Sequence, residues 1–114
     1  MITPEEVRNI ALSFPEAVEV KHWDKPSFRV RNKIFAVIQP DRISLVIKTA
    51  PDDRAVYTMM DPDIYQMPAA FSNLNYMVVR MDRVEPAELH GLLIKAWRSV
   101  SPKRLITAFN PDSR

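Results

Sequence analysis

The sequence has no cysteine and one glycine, Gly91, in 114 residues. Without cysteine there is no disulfide, no thiol nucleophile, no Cys-ligated zinc and no iron–sulfur cluster held by thiolates. With one glycine there is neither a dinucleotide fingerprint nor a P-loop, because both need several glycines for close backbone approach to phosphate. No apolar run approaches the roughly 20 residues of a membrane-spanning helix. The first residues, Met1-Ile2-Thr3-Pro4-Glu5-Glu6, are acidic and lack the apolar segment of a signal peptide. These absences lead to the expectation of a cytoplasmic protein with no membrane partner and no cofactor.

The rest of the composition is that of a globule: 46% hydrophobic and 26% charged. The length suits one domain over residues 1–114, with a frayed tail from Asn110. The net charge is only +2, but its distribution is uneven. Residues 1–20 are net −3, and residues 21–48 carry seven basic groups against Asp24 and Asp41.

Prolines mark the element boundaries. Thr3-Pro4-Glu5-Glu6 reads as a capped helix start, and Val7, Ile10, Ala11 and Phe14 follow at helical spacing up to Pro15. Residues 18–48 then alternate with period two, which predicts a meander of antiparallel strands with turns at Asp24-Lys25-Pro26, Asn32-Lys33 and Pro40-Asp41-Arg42. Pro51 opens a second helix with Ala55, Val56, Met59 and Met60 as its inner stripe. The stretch 64–74 gives no clear pattern. Residues 75–81 form a further strand, with Met77 and Met81 at core-compatible positions. Pro86 starts the longest helix, whose apolar face is Leu89, Leu92, Leu93, Ala96, Trp97 and Val100. Ser101-Pro102 leads into a short last helix through Phe109. The expected fold is α+β: about five antiparallel strands with helices on one face, in the order helix, four strands, helix, strand, helix, helix.

Candidate chemistry is sparse. His22 and His90 belong to no metal-ligand spacing. His22, Asp24 and Ser27 make a nucleophilic set on paper only, since the turn between them redirects Ser27. The carboxylates Asp52, Asp53, Asp61 and Asp63 lie at helix ends beside prolines, where capping and helix-dipole roles explain them. The basic residues are the remaining signal. Lys21, Lys25, Arg29, Arg31 and Lys33 lie within thirteen residues with one acid among them. Lys95, Arg98, Lys103 and Arg104 gather around the junction of the last two helices. A hairpin wing and a helix end of this kind can offer two positive ridges to a polyanion.

Three stretches carry a family resemblance: His22-Trp23-Asp24-Lys25-Pro26-Ser27-Phe28-Arg29-Val30, Lys33-Ile34-Phe35-Ala36, and Ala96 to Leu105 with its Ala-Trp-Arg and Pro-Lys-Arg-Leu segments. With Val79-Arg80-Met81-Asp82 and Glu88-Leu89, they resemble the MmcQ/YjbR family of small bacterial proteins over roughly residues 3 to 105. The resemblance implies an α+β domain of double-wing, DNA-binding-like architecture. Any family role in anion contact would carry to Arg29, Lys33, Arg98, Lys103 and Arg104. The chain departs from many members at Gln66–Leu74, where they have a loop containing Gly and Trp. A structural reading of the same residues has Trp23 packing on Trp97 in the core and Arg98 or Arg104 pairing with Asp82. The expectation is a non-enzymatic protein that binds double-stranded DNA. The alternative is a protein-interaction module with an apolar patch at Ile64, Tyr65, Met67, Phe71 and Leu74.

Overall fold

The computed structural model describes residues 1–109, so the expected fraying from Asn110 lies outside the described residues. The elements are α1 (Pro4–Leu12), β1 (Val18–His22), β2 (Lys25–Val30), β3 (Lys33–Ile38), β4 (Ser44–Lys48), α2 (Pro51–Met60), β5 (Tyr65–Gln66), β6 (Tyr76–Arg80), α3 (Pro86–Val100) and α4 (Lys103–Ala108). A 3-10 turn at Ala69–Phe71 lies between β5 and β6. The six strands form one antiparallel sheet in the order β1-β2-β3-β4-β6-β5. The strand beyond the expected five is β5, at the sheet edge, which has only two residues, too few for any alternation to show in the sequence.

Thr3 and Glu6 close a capping box on α1, each side chain bonding the other's backbone N–H at 3.0–3.2 Å. Helix α3 covers the sheet with Leu89, Leu93, Ala96 and Trp97, all fully buried. Phe14, Trp97 and Phe109 form an aromatic cluster with centroids 5.0–5.9 Å apart. The Trp97 indole N–H donates to the Pro15 carbonyl at 2.9 Å, satisfying the polar atom of a ring that is otherwise apolar. Between Phe28 and Arg29 of β2, the register with β3 shifts by one residue. Phe35 and Ala36 consequently both face the core, as a β-bulge allows.

Four expectations are corrected. Trp23 does not pack on Trp97 but stands 83% exposed at the β1–β2 turn. The two hairpin turns fall one residue earlier than expected, at Trp23-Asp24 and Arg31-Asn32, and all four residues have positive φ (49–69°). Mirror-image turns of this kind match the twist of the flanking strands, so strand twist outweighs the side-chain preference. Helix α2 is rotated from the expected stripe: Val56, Met59 and Met60 are exposed, while Arg54 and Tyr57 point inward. The cause is visible. Tyr57 packs on Tyr65 at 4.9 Å, and the Arg54 guanidinium donates to the carbonyls of Phe71 (3.0 Å), Tyr76 (3.2 Å), Ser72 (3.4 Å) and Leu74. Asp82 is held by Arg80 at 2.8 Å, on the same stretch of chain, rather than by Arg98 or Arg104. Met77 and Met81 are buried as expected.

Arg54 ties the 71–76 segment to α2, with no carboxylate partner among the described residues. Arg54→Met should lower stability by about 2 kcal/mol, since it strips donors from several carbonyls at once. Urea denaturation would measure the loss, and amide exchange should speed up within residues 71–76. Trp23→Asn should act in the opposite direction. Asn tolerates the left-handed conformation that costs a bulky residue about 1 kcal/mol, so the melting temperature should rise.

Candidate nucleic-acid interface

The two hairpin turns lie at opposite ends of β2, which sorts the nine candidate cations. The Arg31-Asn32 turn, the end of β4 and the start of α2 share one end of the sheet with the C-terminal part of α3. A cleft of about 290 Å³ there is lined by Arg31 and Lys33 on one side and by Ser99 to Pro102 on the other. An adjoining cleft of about 330 Å³ shares Ser99 and is lined by Lys48, Asp53, Lys95 and Arg98. The hairpin wing and the helix junction, distant in sequence, are therefore neighbours. Lys103 and Arg104 open α4 immediately beyond Pro102, both exposed. Lys21 and Lys25 do not join this group, because they flank the Trp23-Asp24 turn at the other end.

Partners further divide the set. Arg31 is paired with Glu16 through two hydrogen bonds of 3.0 and 3.3 Å, and the guanidinium holds the Glu16 carboxyl below its ordinary range. Lys95 lies 3.6 Å from Asp53. Arg29 is tied into its own hairpin: Nε donates to Ser27 Oγ (3.0 Å), Nη1 to Asn32 Oδ1 (2.8 Å), and Nη2 lies 3.4 Å from His22 Nδ1. Strand alternation places it on the sheet face away from the helices. Lys33, Arg98, Lys103 and Arg104 have no salt-bridge partner among the described residues. Lys48, which sequence reasoning did not single out, joins this end because β4 runs back toward the Arg31-Asn32 turn. Its ammonium lies over the Tyr76 ring at 5.8 Å. Period-two alternation could have placed it there once the strand pairing was known.

The other candidates resolve into structure. Ser27 is fully buried and its hydroxyl donates to the Val20 carbonyl at 2.5 Å, which leaves no nucleophile beside His22. No cluster of three His, Cys, Asp or Glu suited to a metal occurs among the described residues. Within the 64–74 patch, Tyr65 is buried, Phe71 packs against Tyr76, and Met67 and Leu74 are exposed. The Tyr65 hydroxyl donates to the Glu88 carboxylate. Burial first, and that carboxylate second, push the phenol well above its ordinary value.

A six-stranded antiparallel sheet backed by helices, with a basic end, defines a class of small α+β domains. The chain belongs to the YjbR family, whose model matches residues 12–99. Its fold is similar to the crystal structure of Deinococcus radiodurans protein DR2400, which carries the DUF419 domain. That likeness has a TM-score of 0.77 at 22% identity and covers 97% of this chain and 84% of that one. None of the curated proteins matches it. No helix among the described residues is long and apolar enough to cross a membrane.

The Tyr65 phenol gives a pH prediction. Its folded value is raised above the unfolded value of about 10, so its contribution to stability is complete below that pH. The contribution is lost as pH rises beyond it, where the unfolded chain ionises first. Tyr65→Phe should flatten the alkaline limb of a stability–pH curve measured by urea midpoint.

Proposed function

We propose that the protein is a non-enzymatic, cytoplasmic nucleic-acid-binding protein that grips the phosphate backbone of a duplex with its basic end. One observation carries the reading: Arg31 and Lys33 of the hairpin and the Ser99–Pro102 junction line the same cleft, with Lys95 and Arg98 on the next. Two basic segments some seventy residues apart in sequence are thereby offered to one polyanion. The family's double-wing, DNA-binding-like resemblance is in keeping with it. Lysine and arginine without carboxylate partners suit phosphate contacts, which supply affinity without reading bases. The principal contacts are Lys33, Arg98, Lys103 and Arg104. Arg31 and Lys95 contribute less because Glu16 and Asp53 partly neutralise them. Phe28, the aromatic within the basic hairpin, is buried and so offers no stacking platform beside these cations, and the exposed Trp23 lies at the other end of the sheet.

The test is fluorescence anisotropy with a labelled mixed-sequence duplex at several salt concentrations. Arg29 and Arg31 are poor probes because their guanidinium groups maintain the hairpin, so the variant of choice is Lys33→Glu/Arg98→Glu. Wild-type binding should fall around 10⁻⁴ to 10⁻⁶ M at physiological salt, with a log–log salt slope of about −3 to −4 for four contacts. The double variant, with its circular dichroism unchanged, should lose at least about tenfold in affinity, some 1.4 kcal/mol. Absence of binding by the wild type at low salt would end the proposal.

A further inference from the structure

The two margins of the sheet differ. At one, β5 offers a neighbour only two residues. At the other, β1 runs five residues, Val18–His22, with no proline and no register shift against β2. Val18 and Val20 stand 49% and 41% exposed there. A regular, open edge of this kind is a template for another strand, and folded proteins ordinarily blunt it.

Hairpin geometry fixes where the backbone groups of that edge point. Two residues, Trp23 and Asp24, join β1 to β2, so the flanking pair His22–Lys25 exchanges hydrogen bonds across the hairpin. Alternation then makes Val20–Ser27 and Val18–Arg29 the next bonded pairs. The Ser27 hydroxyl reaches the Val20 carbonyl at 2.5 Å, so that carbonyl does face β2. Pro26, opposite Lys21, falls at a non-bonded position, where its missing N–H costs nothing. The N–H and C=O groups of Glu19 and Lys21 therefore point out of the sheet, and no turn or loop among the described residues bonds them.

We infer that β1 pairs with β1 of a second copy of this chain, antiparallel, across a two-fold axis at Val20, joining two six-stranded sheets into one. The strand is self-complementary in this register. Glu19 lies opposite the partner's Lys21, and Lys21 opposite the partner's Glu19. Each such pair exchanges two backbone hydrogen bonds and sets opposite charges side by side. Val20 meets its own equivalent at a non-bonded position, where side chains approach most closely. Sliding the partner two residues either way would set Glu19 on Glu19 or Lys21 on Lys21, which like charge opposes. Glu19 already accepts from Arg8 at 2.7 and 3.1 Å, and a carboxylate keeps lone pairs for a further donor. A five-residue seam is short, so the dimer dissociates on dilution.

The chain has no cysteine, so a single introduced one reports the register. In this dimer the two side chains of a Val20→Cys variant have Cβ atoms about 4.5–5.5 Å apart, close enough for a disulfide after a small adjustment. Those of a Val18→Cys variant are four residues apart along the seam, about 13 Å. Both positions are exposed, so chance collisions would link both variants alike. Mild oxidation should link Val20→Cys into a covalent dimer and leave Val18→Cys monomeric. Sedimentation of the wild type should show a dimer that dissociates on dilution. Lys21→Glu should weaken it at least about tenfold, with circular dichroism unchanged. Mixing that variant with Glu19→Lys should restore a dimer, because every glutamate then faces a lysine. A wild type that stays monomeric up to its solubility limit, equal linking of the two cysteine variants, or a mixture that stays monomeric would overturn the inference.

Discussion

The hydrogen bond from the Trp97 indole to the Pro15 carbonyl sets the frame of the molecule. A tryptophan this deep needs a partner for its one polar atom, and the carbonyl at the α1–β1 link has no strand to pair with. Satisfying both draws the start of the meander under the C-terminal half of α3. The first strands then run beneath that helix, and the Arg31-Asn32 turn arrives beside Ser99 to Pro102. The basic end is thus a by-product of core packing: the aromatic cluster of Phe14, Trp97 and Phe109 decides where the cations meet.

The sheet separates two kinds of work. On its inner face, Phe28, Phe35, Leu45, Ile47 and Met77 are fully buried under α3. On its outer face, Ser27, Val37 and Val46 of the central strands are buried as well, and only Val18 and Val20 of the edge strand β1 stand exposed. The bulge at Phe35 keeps the two faces distinct. By turning Phe35 and Ala36 to the same side, it restores the alternation that brings Val37 outward and Ile38 inward.

Much of this was legible in the sequence. Capping residues, period-two runs and the wide apolar stripe of α3 announced their elements, because each is a local pattern with a local cause. Sequence reasoning also chose Lys33, Arg98 and their neighbours, but it could not see that Lys21 and Lys25 lie at the far end. That depends on which way each strand runs. Arg54 escaped notice for a different reason. A buried cation normally signals a carboxylate partner, whereas this one is satisfied by backbone carbonyls that have no sequence signature. Trp23 misled because size and apolarity suggest burial, while its position in a tight turn keeps it out.

Among the described residues, six other than glycine adopt left-handed backbone: Glu16, Trp23, Asp24, Arg31, Asn32 and Arg42. Each is a small local strain that a glycine would relieve. Glycine, however, would also enlarge the set of conformations open to the denatured chain. A sequence with one glycine and ten prolines has a comparatively stiff denatured ensemble. Its turns are therefore strained in the folded state, yet less disorder has to be given up to reach them. The balance between the two lies as much in the chain before folding as in the contacts after it.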